Sequence, residues 1–322
     1  MEAKRHHEPF GKESILQKIV GITRQSFCIL MTMKKNLFLF LLAALLACGR
    51  AGVEPPTDAN DEDAIYHIII YDVPSAFNLD EFDLTVPDTS LNLTESFEPI
   101  HWWRTIEHDS LYIDIGIFNP GPNDTLGAVP YANVTVLKYF WGTLEVIAMD
   151  TSGGTPRRVR FSKNFNTLGM IGSVFEKVGF DYNSRRGWRL MEISDAVFTP
   201  LSPGVPQPAP RVEIQTPDSL LAVNTAVMPL RNLLQFTPGE SITVNIYPID
   251  TTAFVSIRYL TGNGYVTQKL GHQPGGVYHV GFTLPRYEEF GHFLVDLINS
   301  PALTDSTARY NPNAIGVLYR AR

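Results

Sequence analysis

Cysteine is almost missing from this 322-residue chain: Cys28 and Cys48 are the only two. Whatever folds beyond residue 48 therefore has no disulfide and no thiol nucleophile, and must hold together by packing. Nucleophile and phosphate motifs are missing too. Gly172-Ser173 runs into Val174-Phe175 without the second glycine of G-x-S-x-G, and Gly262-Asn263-Gly264 lacks the rest of a dinucleotide loop. The histidines at 67, 101, 108, 272, 279 and 292 contain no HExxH pair, and no EF-hand glycine accompanies the acidic run Asp80-Glu81-Phe82-Asp83. No catalytic set, no metal site and no cofactor is expected on these grounds. Positive charge is scarce as well. Residues 1–47 carry seven Lys/Arg and three Asp/Glu, which leaves 19 basic against 30 acidic residues and a formal charge of −11 downstream. Phosphate backbones are repelled by such a surface, which argues against a nucleic-acid partner.

Long apolar runs are short in supply, and the one that leads the chain is informative. Met33-Lys34-Lys35-Asn36 places two positive charges before Leu37–Ala47, and eleven residues are too few to span a bilayer as a helix. The pair reads as an export signal. Leu45-Leu46-Ala47-Cys48 resembles the lipobox of bacterial lipoproteins, which implies acylation of Cys48, cleavage before it, and a membrane partner through the lipid. Gly49, rather than Asp, follows the cysteine, and by resemblance to the enteric sorting rule this implies the outer membrane, facing periplasm or surface. Residues 1–32 are polar and read as an upstream extension before the true start at Met33, with 33–47 as the signal peptide. Residues 48–60 are small, polar and proline-bearing and read as a flexible tether.

The remainder, at 44% hydrophobic and 11% aromatic for the whole chain, can build cores without disulfides. Asp61-Glu62-Asp63 precede the apolar run 64–73, which fits a helix ending before Pro74. From Ile100 the period becomes two. Leu111, Ile113, Ile115 and Ile117 alternate with Tyr112, Asp114, Gly116 and Phe118. Strands are expected at 134–140 and 144–149 around a bend at Trp141-Gly142-Thr143, then at 157–165, 170–178 and 187–193. Residues 61–200 thus form an α+β domain, a curled antiparallel sheet with a covering helix. The stretches Ala132-Asn133-Val134-Thr135-Val136, Trp141-Gly142-Thr143-Leu144-Glu145-Val146 and Arg186-Gly187-Trp188-Arg189-Leu190 give it a resemblance to the nuclear transport factor two-like cone family.

Residues 201–210 alternate prolines and read as a stiff linker. Beyond it, 211–322 carry about seven short alternating strands separated by turn signals, an all-β pattern that resembles immunoglobulin-like β-sandwiches.

The cone resemblance implies a possible pocket, in which an Asp base facing a Tyr hydroxyl moves a proton beside a carbonyl. Tyr112, Asp114 and Tyr139 are the candidates, the first two sharing a face of one strand. His101-Trp102-Trp103-Arg104, with Trp141 and Trp188, offers indole faces and a guanidinium to a sugar or an aromatic ligand. The candidate ligand-binding set is therefore Trp102, Trp103, Arg104, Tyr112, Asp114, Tyr139 and Trp188. With no assembled nucleophile or acid–base set, binding or scaffolding at the envelope, with a protein or glycan partner, is favoured over enzymatic activity. The small-molecule or isomerase-type pocket is the alternative.

Overall fold

Helix α1, Asp61–His67, begins where the acidic run predicts it. The Asn60 side chain accepts from the Asp63 amide at 2.8 Å, and three carboxylates stand in the first turn, where the helix dipole favours them. The helix widens into a π turn over Ile68–Asp72 and stops at Val73, ahead of Pro74. Its apolar stripe, Ala64, Ile65, Ile68 and Ile69, is buried. A computed structural model describes residues 58–82, 97–121, 128–151, 154–201, 210–250, 252–262, 264–270, 276–285 and 290–322. The expectations for the leader, for Cys48, for the tether up to 57 and for most of the proline-rich stretch lie outside the described residues.

The described chain is mostly β. Three long strands, β1 Phe97–Phe118, β2 Tyr131–Asp150 and β3 Arg157–Lys177, run antiparallel side by side. Two corrections follow. The bend expected at 141–143 is absent, so 134–149 is part of one uninterrupted strand, and the two strands expected within 157–178 are also one. Gly142 is there for a different reason. A Cβ at that position would lie 2.1 Å from the Thr105 carbonyl oxygen, so glycine permits a close strand approach and makes no turn. The approach arises because β1 carries an extra residue, Glu107, between the pairs Ile106/Gly142 and His108/Trp141.

Strands β4 (Trp188–Ile193) and β5 (Ala196–Pro200) pair successive parts of β3 and are separated by a break at Ser194-Asp195. The sheet then continues through β15 (Asn313–Ala321), β14 (Phe290–Ile298), β11 (Phe254–Thr261) and β12 (Gly264–Leu270). Because β5 lies between β3 and β15, one sheet runs across the proline-rich stretch, and residues 58–322 form a single unit. A second sheet holds β13 (Tyr278–Thr283), β10 (Ser241–Tyr247), β6 (Arg211–Gln215) and β7 (Leu220–Ala222). Val212, Ile214, Val244, Ile246 and Val280 from it meet Val255, Ile257, Val295 and Val317 from the first, which makes a β-sandwich.

The centre of the molecule is β14–β15, buried on both faces. Phe293, Val295, Leu297, Ile315 and Val317 point into the sandwich core. Leu294, Ile298, Ala314 and Leu318 point the other way, into a core shared with α1 and the inner face of the long strands, including Val134, Val136, Ile171 and Phe175.

Candidate functional site

The run His101-Trp102-Trp103-Arg104 does not act as one cluster, because a strand sends successive side chains to opposite faces. Trp102 and Arg104 face inward. Arg104 is 1% exposed, donates through Nε to Tyr310 Oη at 2.6 Å and through Nη1 to the Phe82 carbonyl at 3.1 Å, and is ion-paired through Nη2 with Asp296 on β14. Its guanidinium lies 4.1 Å from the centre of the Phe82 ring. Burial pushes the Asp296 carboxyl above the usual carboxylate range, against the pull of Arg104, and burial likewise pushes the Tyr310 hydroxyl up, so that it stays protonated. Trp102 packs edge-on against Phe254, with the Lys269 ammonium 3.5 Å from its ring centre. Trp188 is also buried, under the Lys177 ammonium. Three of the seven candidates, Trp102, Arg104 and Trp188, are therefore interior groups.

The other four share the outer face of the long-stranded sheet. Trp103 faces outward beside His101, with the Arg160 guanidinium 5.6 Å from its ring centre. At Glu107 the extra residue reverses the parity of β1, so the even-numbered residues face outward from His108 on. Tyr112 (57% exposed) and Asp114 do share a face, as expected, but that face meets solvent and encloses no acid–base site. Tyr139 stands on the same side, opposite Ser110.

Cross-strand pairing shows what surrounds them. One row runs Tyr112, Leu137, Met170; the next Ser110, Tyr139, Leu168; the next His108, Trp141, Asn166. The Tyr139 and Trp141 rings are 5.9 Å apart and within 17° of parallel. Near the far end, Phe118 and Tyr131 stack at 5.0 Å and 14°. Asn133, Thr135, Thr143 and Asn164 interleave with these rings on the same parity. Trp141, which the sequence groups with the Trp102-Trp103-Arg104 run, belongs to this outer face, and residues 141–143 continue the strand where a bend was expected. Read as one strand, the odd positions from Tyr131 to Trp141 would have displayed the face at once.

The inner face carries a cleft of about 330 Å³ between residues 69–80 and the first two strands, lined by Ile69, Phe77, Leu79, Leu111, Val136 and Lys138. The pocket implied by the cone resemblance would thus be lined by residues of the parity opposite to Tyr112 and Asp114. Its one ammonium, Lys138, is already neutralised by Asp80 and Asp109. Among the described residues no three His, Cys, Asp or Glu side chains are placed to share a metal ion, and no helix is long and apolar enough to cross a membrane. The described chain is thus a mostly β protein with an aromatic, largely uncharged sheet face as its candidate binding surface. No protein-family model matches the chain, and no curated protein matches its sequence.

Proposed function

We propose that this protein is a non-catalytic binding module of the bacterial cell envelope, tethered through a lipid on Cys48, and that it holds a glycan chain along the outer face of the long-stranded sheet. The observation that carries the reading is the shared exposed face of Trp103, Tyr112, Tyr139 and Trp141. Near-parallel rings stack on the apolar faces of sugar rings, while the interleaved hydroxyls and carboxamides hydrogen-bond to sugar hydroxyls. From the row of Tyr131 to that of Glu145 the face is roughly 45 Å long, which suits an extended chain better than a compact ligand. In the same reading the long sheet with α1 is cone-like and the sandwich immunoglobulin-like. The burial of α1 in the core of the inner face supports the first, and the two facing sheets, antiparallel except where β15 meets Leu234–Phe236, support the second.

The test is a glycan array probed with the parent chain and with Trp141→Ala and Tyr139→Ala. Both variants are expected to lose roughly 2- to 12-fold in affinity, from the loss of ring stacking alone. Equal binding by parent and variants would remove the glycan face. Incorporation of labelled palmitate into the parent but not into Cys48→Ser tests the tether separately.

A further inference from the structure

Strand β15 changes neighbours along its length. It pairs antiparallel with β5 at 314–316 and parallel with β9, Leu234–Phe236, at 319–321. Between these pairings the Leu318 amide has no ladder partner. Asp195, in the break between β4 and β5, accepts its hydrogen bond at 2.7 Å. That contact explains why a polar side chain stands there, yet it uses one of two carboxylate oxygens and brings no positive charge. Asp195 is 3% exposed and lines a cavity of about 260 Å³ together with Asn224, Asn232, Met228, Leu233 and Leu318. Among the described residues no basic side chain lines that cavity, and burial pushes the carboxyl up to about 7.

We propose that this cavity binds a small organic cation, a primary ammonium on a short apolar stem, with Asp195 as its counter-ion. An ammonium has three donors to place. The second Asp195 oxygen takes one, and Asn224 and Asn232, exposed residues that also line the cavity, have carboxamide oxygens for the others, that of Asn224 with one lone pair already taken by the Ala226 amide at 3.1 Å. Met228, Leu233 and Leu318 receive the stem. On the scale of the ~30 Å³ that one water molecule occupies in the liquid, the volume admits about eight heavy atoms, so the ligand is an amine of four to six carbons and not a peptide. A bare calcium ion would need six to eight oxygens, more than one carboxylate and two carboxamides supply. The net negative charge of the chain draws cations toward it.

Butylammonium chloride, with 1-butanol as the uncharged isostere, tests this on the full protein by titration calorimetry and by the ¹⁵N shift of the Leu318 amide. Butylammonium is expected to bind and to move the Leu318 resonance, and butanol to do neither. Asp195→Asn, which keeps an acceptor for Leu318, is expected to weaken binding at least tenfold, and Met228→Trp, which fills the cavity and leaves the carboxyl in place, to abolish it. Equal affinity for butanol, undiminished binding in either variant, or no binding by the parent would each overturn the proposal.

Discussion

The long strands β1–β3 and the central pair β14–β15 have the same period-two alternation and opposite surroundings. In the long strands one face is packed and the other wet, so Asp114, Asn133 and Thr135 need no protein partner. In β14 the equivalent alternation puts His292 and Asp296 on a face that is buried against the long-stranded sheet. Each must then be neutral or paired. Asp296 has the Arg104 guanidinium, while burial pulls the His292 imidazole down to about 4, so it stays uncharged. Periodicity tells which residues share a face. What lies over that face decides whether a polar residue there is harmless or costly.

The largest way to break this contrast is to insert one alanine between Ser110 and Leu111, where β1 and β2 pair without irregularity. With one residue added inside this regularly paired stretch, the alternation of β1 beyond it turns over, and Ile113, Ile115 and Ile117 move from the inner to the outer face. Partial burial of three such side chains is worth on the order of 4–6 kcal/mol, so the variant should lose its cooperative denaturant transition or much of its soluble yield. A parent-like transition would show that a second bulge absorbs the added residue.

Arg104→Ala comes next. It leaves Asp296 buried and unpaired and should cost about 3–5 kcal/mol, whereas Arg104→Met combined with Asp296→Leu should fall within about 2 kcal/mol of the parent. Urea unfolding of the three proteins decides it. If the double variant is no better than the single one, the pair does more than satisfy itself.

Two buried groups then make a pH experiment. Asp195 keeps its proton in the folded state up to about 7, while the unfolded chain releases it near 4, so its contribution lowers stability as pH rises across that window. His292 acts in the other direction. The unfolded chain takes up a proton below about 6.5 and the fold does not until about 4, so stability falls as pH drops through that interval. The two slopes oppose each other over much of the same range. Asp195→Asn removes one of them. The variant should gain up to about 4 kcal/mol over the parent at pH 8, and its own stability should rise by about 3 kcal/mol between pH 4 and 6.5. Parallel curves for the two proteins in thermal melts from pH 4 to 8 would contradict the assignment.

The smallest expected effect is the most telling about the faces. Trp102→Ala should cost about 3–5 kcal/mol, because it empties a core position under Lys269, while Trp141→Ala, on the wet face, should cost under about 1 kcal/mol. If the two tryptophans proved equally costly, the outer face would have to be covered in the working protein.

Much of the fold was legible beforehand, element by element. The start of α1, its end before Pro74, the short alternating strands of 211–322 and the shared parity of Tyr112 with Asp114 all follow from neighbours a few residues away. Misreadings arose where a local signal had a distant cause. Gly142 looked like a bend residue and proved to be a close contact with the Thr105 carbonyl. The Trp102-Trp103-Arg104 run looked like one surface, and alternation divided it between core and solvent.

By itself the sequence determined the periods and the ends of α1, because those rest on backbone sterics and on hydrogen bonds that close within one or two turns of chain. It also set the surplus of acidic over basic residues and the near absence of cysteine, which narrow the chemistry before any fold is known. Only the tertiary structure decided which face of each strand is dry, that one sheet continues past the proline-rich stretch, that Arg104 meets Asp296 from 192 residues away, and that Asp195 lines a cavity. Burial and pairing depend on what arrives from far along the chain, and no local pattern of residues carries that information.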